Sequence, residues 1–140
     1  MFSKSNLFAT LAGFVVLLLL GFLFYAFLAE NFFESHTINK VLLKDDESLL
    51  MPFLMLGSLL FSFFMATIYG KWSRGHHSIK EGFSFGALIG GLTGFGIGLI
   101  QYATVNFMDL NAYLINGVWE IIYYGIAGAV IAFVYKFTSN

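Results

Sequence analysis

A single carboxylate, Glu120, lies within the last apolar run of the chain, in the segment NGVWEIIYYG. It follows the start of that run, at about residue 113, by seven positions, which is roughly 10 Å along a helix axis. Carboxylates at that depth in a membrane-spanning helix are rare and are candidates for functional groups by default. Asn116, Tyr123 and Tyr124 lie about one turn away, so a helix places all four side chains on one face.

The chemistry open to Glu120 follows from its surroundings, because no Lys or Arg lies deep in any apolar run. The carboxyl group must be protonated, hydrogen-bonded to hydroxyl and amide groups, or paired with a cation from outside the chain. A carboxyl group that exchanges its proton for a cationic substrate would couple a transporter to protons. The alternative is a neutral glutamic acid that hydrogen-bonds between helices, worth about 0.6 kcal/mol per contact.

Other polar side chains are expected near Glu120, because their helices bring them to the same half of the protein. We predict a polar pocket that faces outward from the cell. Its candidate members beside Glu120 are Asn116, Tyr123, Tyr124, Tyr25, Gln101, Tyr102 and Asn106.

The remaining reactive residue types form no catalytic or metal-binding pattern. The sequence has no cysteine, no paired-carboxylate or Ser/His/Asp arrangement, and no phosphate-binding loop ending in Lys-Ser or Lys-Thr. His76 and His77 are adjacent, point in different directions on most backbones, and have no third ligand nearby in the sequence. We therefore predict no catalytic residue, no metal site and no cofactor, and a protein that is not an enzyme.

Four apolar runs must position these residues. They cover about 7–29, 49–70, 79–104 and 113–135, and each reaches the ~20 residues needed to cross a bilayer. The chain has 140 residues, 59% of them hydrophobic and only 11% charged, so a soluble protein of this size could not cover its apolar surface. The sequence predicts an all-α, polytopic membrane protein, with one domain over residues 1–140 folded as a four-helix transmembrane bundle.

Basic residues predict the orientation of the bundle, since Lys and Arg are enriched in cytoplasmic loops. The first loop has only Lys40 and Lys44, and the third loop has none. The two tails and the second loop carry Lys4, Lys71, Arg74, Lys80 and Lys136. Both termini are therefore expected in the cytoplasm, with the chain in a bacterial inner membrane. A net charge of −1 without a basic patch argues against nucleic acid as a partner.

Local signals predict where two helices begin. The segment SIKE (78–81) fits a capping box at the start of the third helix. The segment DDES (45–48) places acids and a hydroxyl before the second helix, whose first turn then holds Pro52, the only proline. In the first loop, a short surface helix and an irregular loop both remain open, because apolar residues recur there at helical spacing: Ile38, Val41 and Leu42.

Glycine is concentrated in the third run, in the segment GFSFGALIGGLTGFGIG. Five glycines recur every four residues: Gly82, Gly86, Gly90, Gly94 and Gly98. Small residues let membrane helices approach closely, so the stripe predicts a packing surface of the glycine-zipper kind. A glycine-lined path for a ligand or lipid is the alternative. Each four-residue step of an α-helix drifts by about 40°, so the stripe should wind by about 160°. We expect two neighbours or one right-handed crossing to cover it, with the third helix at the centre.

The first and third runs also match at one offset of 77 positions. Aligned, LAGFVVLLLLGFLFYA (11–26) and LIGGLTGFGIGLIQYA (88–103) share a Leu, two Gly, a Tyr and an Ala. Such matches indicate a parallel repeat of two helical hairpins. Apolar sequence of low complexity also produces such matches by chance.

Three segments, GFLFYAFLAENFF, KEGFSFGALIGGLTG and YLINGVWEIIYYGIAGAVIAFVY, resemble a family of small four-helix bacterial inner-membrane proteins known only as a domain of unknown function. The matching residues are Gly21, Phe24, Tyr25, Gly86, Gly90, Asn116 and Gly128. The resemblance implies a four-helix fold and a membrane location. It implies no activity, and Glu120 is not one of the matching features.

Together these features predict an integral membrane protein without enzymatic activity. We expect a packing or accessory subunit, or a lipid-contacting homo-oligomer, whose partners are membrane lipids, further copies of the chain or a larger membrane complex. The alternative is a small transporter that is coupled to protons or another cation through Glu120.

Overall fold

The structure is a computed structural model that describes residues 3–44 and 47–139. Within those residues every regular element is helical, and the β contact is an isolated bridge between Thr37 and Met108. The predicted all-α class is confirmed. The elements in chain order are α1 (Lys4–Leu23), a π-helical turn (Phe24–Leu28), α2 (Glu30–His36), a 3-10 turn (Lys40–Leu42), α3 (Met51–Trp72), α4 (Ile79–Gly90), a π-helical segment (Gly91–Ile97), α5 (Gly98–Thr104) and α6 (Leu110–Thr138).

These elements form four helices that are long and apolar enough to span a membrane, as the four apolar runs predicted. We name these four helices the first to fourth spans, in chain order. The first span joins α1 to its π-helical turn, and the second span is α3. The third span joins α4, the π-helical segment and α5, and the fourth span is α6. Their bounds are Lys4–Leu28, Met51–Trp72, Ile79–Thr104 and Leu110–Thr138.

Side-chain caps explain where three of the spans begin. The capping oxygens accept from backbone N–H groups three residues later: Ser3 Oγ from Asn6 (3.1 Å), Ser78 Oγ from Glu81 (3.1 Å) and Asp109 Oδ1 from Ala112 (2.9 Å). The helix start predicted from SIKE is confirmed. The first and fourth spans each begin three residues before their apolar runs, because polar residues supply the caps and the first turn.

The second span begins differently. Its first residue is Met51, Leu50 provides no side-chain cap, and Pro52 lies in the first turn as predicted. Proline is tolerated there because the first N–H groups of a helix have no intrahelical acceptor. Asp45 and Asp46 of the predicted DDES cap lie outside the described residues.

The fourth span, and not the third, is the centre of the bundle. It packs against the first and third spans along much of their length and also touches the second. The third span packs almost entirely on the fourth. Our expectation of a central third helix therefore differs from the structure, in which the third span has one main neighbour and the fourth span has three.

The glycine stripe faces one neighbour in an antiparallel register. Its pairs with the fourth span are Gly82 with Gly128, Gly86 with Tyr124, Gly90 with Glu120, Gly94 with Gly117, and Gly98 with Tyr113. A Cβ atom on any of the first four glycines would lie within 2.7 Å of backbone atoms of the fourth span, which is closer than side chains allow. The backbones of the two spans therefore touch along the stripe.

The π-helical segment Gly91–Ile97 keeps the stripe on that neighbour. In an α-helix a four-residue step overshoots a full turn, and the drift would carry Gly94 and Gly98 away from the fourth span. The i→i+5 bonds of a π-helix place more residues in each turn, so the same step falls short and the drift reverses. One antiparallel helix can then cover all five glycines without the predicted winding.

The second span leaves the bundle in its first half. Residues 51–57 are all exposed. Its buried residues lie in the second half: Ser62, Met65, Ala66 and Tyr69. Inside this contact, Ser62 Oγ donates to Thr10 O of the first span (2.7 Å). The helix therefore packs at one end of the bundle and diverges from the other spans toward the opposite end.

The loops at the diverging end are tied together through their backbones. Ile38 N donates to Phe107 O (2.7 Å), and Asp109 N donates to His36 O (3.0 Å). His36 Nε2 also lies 3.9 Å from Asp109 Oδ2. The first loop thus contains two short helices, α2 and the 3-10 turn, with an extended stretch around Ile38 between them.

Candidate functional site

Glu120 is the centre of a hydrogen-bonded network that joins three of the four spans. Its Oε1 accepts from Asn116 Nδ2, one turn earlier in the fourth span (2.9 Å), and its Oε2 lies 2.5 Å from Thr93 Oγ1 of the third span. Asn116 Oδ1 accepts a short hydrogen bond from the hydroxyl of Tyr25 in the first span. We call these four residues, Tyr25, Thr93, Asn116 and Glu120, the Glu120 network.

The two π-helical stretches of the described chain supply two of the four members. Tyr25 lies in Phe24–Leu28, and Thr93 lies in Gly91–Ile97. π-Helical turns are rare and occur frequently at functional sites. The glycines around Thr93 bring the third and fourth backbones into contact, so this short side chain can reach the carboxyl group.

One proton decides how the contact between Thr93 and Glu120 is made. Thr93 Oγ1 also lies 3.1 Å from Ile89 O, a carbonyl that a threonine hydroxyl in a helix commonly bonds. A hydroxyl group has a single proton to donate. If Thr93 donates to Ile89 O, then Glu120 must carry a proton and donate it to Thr93. If Thr93 donates to the carboxyl group, Glu120 is an ionised acceptor.

No cationic side chain of the described residues pairs with Glu120. In the described part of the chain, salt bridges join His36 with Asp109 and Lys40 with Glu34, and neither involves Glu120. A charge moved from water into an apolar interior without a partner costs several kcal/mol. The carboxyl group therefore depends on the Thr93 hydroxyl and the Asn116 amide for its hydrogen bonds.

Two predicted members of the site, Tyr123 and Tyr124, lie beside the network and bond elsewhere. The Tyr123 hydroxyl donates to Leu17 O of the first span (2.7 Å). The Tyr124 ring stacks on Phe61 of the second span, with ring centroids 4.7 Å apart. These two tyrosines therefore connect the fourth span to its other neighbours.

The other predicted members do not reach the network. Gln101, Tyr102 and Asn106 are exposed, and the Tyr102 ring contacts Tyr113 (ring centroids 5.9 Å apart). Gln101 follows Thr93 by eight residues, which is about 12 Å along a helix. The structure thus brings Tyr25, Asn116 and Glu120 together, whereas Gln101 and Tyr102 lie outside the network.

Thr93 is the member that sequence reasoning missed. It stands among glycines in GGLTGFG, and we read that segment only for its small residues. A hydroxyl in the middle of a glycine-rich packing stripe was the available signal, because close backbones place it against the facing helix. Trp119, which precedes Glu120 in the sequence, stacks on Phe24 with ring centroids 3.9 Å apart.

A second polar cluster, also missed, lies at the other end of the bundle. Asn6 Nδ2 of the first span donates to Thr67 Oγ1 and to Tyr135 OH, both at 3.1 Å. The Tyr135 hydroxyl donates to Ala66 O (3.1 Å). These bonds join the first, second and fourth spans, so the helices are hydrogen-bonded to one another at this end as well as at the Glu120 network.

Two recesses open beside these clusters. A groove of about 170 Å³ lies between the first, second and fourth spans and is lined by Leu17, Gly57, Ser58, Phe61, Tyr123 and Tyr124. We call it the Gly57 groove. A cavity of about 230 Å³ at the opposite end is lined by Ser3, Asn6, Thr67, Gly70, Lys71 and Tyr135, and we call it the Lys71 cavity. Glu120 lines neither recess.

No metal-binding cluster of three His, Asp or Glu residues occurs in residues 3–44 and 47–139. Comparison with protein-family models, with curated proteins and with solved structures finds no match to this chain. The resemblance to a family of small four-helix membrane proteins therefore stays a prediction, and the function must be argued from the geometry.

Proposed function

We propose that the chain is an integral protein of a bacterial inner membrane that acts as a non-enzymatic packing subunit and associates with a second copy of itself. The observation that carries this proposal is the first half of the second span, which is exposed on every face beside the Gly57 groove. Both termini are proposed to lie in the cytoplasm, since the two tails and the second loop hold most of the Lys and Arg residues.

The surface chemistry supports a membrane location. Large apolar side chains on the first span are more than half exposed, including Leu19 and Phe22 at 65% each and Leu28 at 71%. Soluble monomers rarely expose continuous apolar patches of more than a few hundred Å². In a bilayer, lipid covers such a surface at no cost.

The Gly57 groove has the form expected of a helix-docking surface. A Cβ atom at Gly57 would meet no atom within 4 Å, so within one chain this glycine has no packing role. Ser58 follows it, and small residues let membrane helices approach closely. The exposed residues 51–57 project directly beside this recess, with Phe53 at 70% exposure.

A second copy of the chain is the occupant that fits this arrangement. In a two-fold symmetric dimer the same patch serves both subunits, so a projecting half-helix and an adjacent groove complement each other. The Glu120 network and the glycine stripe hold the first, third and fourth spans together within one chain. The second span is then left to make the contact between copies.

Cysteine cross-linking in native membranes tests the proposal, because the chain has no cysteine of its own. A Gly57→Cys variant should form a covalent dimer with a thiol-specific cross-linker. The matched control is Leu19→Cys, which is equally lipid-facing on the first span and should stay monomeric. Equal cross-linking at both positions, or none at position 57, would contradict the proposal. A covalent adduct with a different protein would show that the partner at this surface is a foreign subunit and not a second copy.

A proton-coupled transporter is the second candidate function. The observation that favours it is the placement of Thr93 in a π-helical segment directly opposite Glu120. The two proton arrangements of this contact differ by one charge in the middle of the bundle, which is the change that proton coupling needs.

Proton flux in liposomes tests the second candidate. With an imposed pH gradient, an internal pH-sensitive dye and sodium or potassium ions supplied as exchangeable cations, the wild-type protein should dissipate the gradient, and Glu120→Gln should not. Glu34→Gln, at an exposed carboxylate, is the control and should behave as wild type. Absence of wild-type flux, or flux that survives in Glu120→Gln, would exclude the transporter.

A further inference from the structure

Charge is divided sharply between the two ends of the bundle. Among the described residues, one end carries the side chains Lys4, Lys71, Arg74, Lys80 and Lys136 and a single acid, Glu81. The opposite end carries Lys40 and Lys44 and the acids Glu30, Glu34, Glu47 and Asp109. The first of these, which we call the basic end, is therefore suited to an anionic membrane surface, which attracts nearby Lys and Arg side chains.

The Lys71 cavity lies at the basic end, between the start of the first span and the end of the second. Its wall holds one cationic side chain, Lys71, and the hydroxyl of Ser3. Ser3 Oγ accepts from Asn6 N and keeps its own proton to donate. The cavity, of about 230 Å³, thus combines an ammonium group with a hydroxyl donor at one opening.

The electrostatics of this cavity favour an anion. Among the described residues Lys71 makes no salt bridge, since the ion pairs there are His36 with Asp109 and Lys40 with Glu34. The first span begins at Lys4, directly after the cavity residue Ser3, so the positive end of its helix dipole also lies here.

An apolar track leads away from the same lysine along the second span. Leu60, Phe64, Ile68 and Lys71 are spaced by four, four and three residues, so they share one helix face. Leu60, Phe64 and Ile68 are 47%, 56% and 48% exposed. A headgroup held at Lys71 would therefore place its acyl chain along this exposed apolar face.

We propose that the Lys71 cavity binds the phosphate of an anionic phospholipid from the leaflet on the basic end, with Lys71 and Ser3 as donors and the acyl chain along Leu60, Phe64 and Ile68. The continuous track of headgroup site and acyl-chain face distinguishes a lipid from free phosphate. This site lies at the opposite end of the second span from the Gly57 groove, so it does not depend on self-association.

Native mass spectrometry of protein released from lipid nanodiscs tests this site. In discs of phosphatidylcholine with one quarter phosphatidylglycerol, the wild-type protein should retain phosphatidylglycerol preferentially. Lys71→Gln should retain about fivefold less of it, as the loss of one lysine contact predicts. Lys71→Arg, which keeps the charge, should restore the preference. Lys136→Gln removes a charge at the same end but outside the cavity, and it should lower the preference much less than Lys71→Gln.

Three results would overturn the proposal. Equal losses of bound phosphatidylglycerol in Lys71→Gln and Lys136→Gln would show that the preference arises from the general charge of the basic end. An unchanged preference in Lys71→Gln would show that the cavity does not bind the lipid. Loss of the bound phosphatidylglycerol on addition of millimolar inorganic phosphate would show that the cavity selects free phosphate and not the lipid.

Discussion

Thr93 Oγ1 of the third span lies 2.5 Å from Glu120 Oε2 of the fourth span. This contact occurs where the two backbones touch, because Gly90 packs against the Glu120 backbone and Gly94 against Gly117. Close packing and polar bonding therefore coincide at one level of the bundle. The threonine side chain is short enough to fit between the two touching backbones. The carboxyl group has no cationic partner among the described residues.

Removing the Thr93 hydroxyl should weaken the bundle measurably. We expect Thr93→Val to lower the free energy of unfolding by about 0.6 kcal/mol, with an upper bound of ~1.7 kcal/mol for bonds of this kind in membrane proteins. Glu120→Gln should stay close to wild type, because the amide keeps an oxygen that can accept from Asn116 and has an NH2 group that can donate to Thr93. Unfolding in mixed micelles with increasing SDS measures both values.

The control for this prediction is Thr104→Val. The Thr104 hydroxyl, in the same span, bonds only its own helix at Ile100 O (2.8 Å) and is exposed. A Thr93→Val variant no less stable than Thr104→Val would contradict an energetic role for the contact. A large loss in Glu120→Gln would show that an amide cannot replace the carboxyl group in the network.

Adjacent glycines in the third span should differ sharply in their tolerance of a side chain. Gly90→Leu places its Cβ in the Glu120 and Ile121 backbone and should separate the third and fourth spans. Gly91→Leu, one residue later, meets no atom within 4 Å and should fold normally. Size-exclusion chromatography in mild detergent, followed by thermal aggregation, checks the pair. Similar profiles for the two variants would show that the stripe does not pack as described.

The histidine at the start of the third span predicts a pH dependence at the basic end. Burial lowers the pKa of His77, and the nearby His76 lowers it further, while Glu81 partly opposes the shift. The ring stacks on Tyr135 with centroids 5.1 Å apart, and its buried Nδ1 has no hydrogen-bond partner among the described residues. The folded state therefore resists protonation more than the unfolded chain, whose histidine titrates near pH 6.5.

Stability from His77 should thus be fully present above about pH 6.5 and should fall as the pH is lowered. We expect the melting temperature to drop between pH 7.5 and pH 5.5, and to drop less in His77→Phe, which keeps the stacking without titrating. His76→Phe, at an exposed position, removes only the smaller of the two effects that lower this pKa, so it should keep most of the wild-type pH dependence. If His77→Phe and wild type lose stability in parallel, the acid sensitivity arises elsewhere.

Sequence patterns predicted the helices well because length, hydropathy and caps act locally. The apolar runs became the four spans, and Ser78 caps the third as SIKE indicated. Asn116 and Glu120 are one turn apart on the same helix, so their contact followed from spacing alone. Tyr25 was placed correctly by depth, because its span and the fourth run antiparallel beside each other.

Relationships between helices were harder to predict, since they depend on departures from ideal geometry. The π-helical segment Gly91–Ile97 reverses the drift, so the whole glycine stripe faces one neighbour and Thr93 faces the carboxyl group of Glu120. The spacing of residues in the sequence does not reveal this segment. The expected role of Gln101 and Tyr102 assumed that equal depth brings side chains together, but both face outward. The divergence of the second span leaves no signature in the sequence, because the first half of that span is as apolar as its second half.

Native mass spectrometry of the protein extracted from its own membrane, compared with Gly57→Leu, tests the central claim of self-association most directly. The wild-type protein should appear as a dimer. Gly57→Leu should appear as a monomer of unchanged thermal stability, because the added side chain enters open space within one chain. A wild-type monomer, a stoichiometric foreign subunit, or a dimer that survives Gly57→Leu would contradict the account.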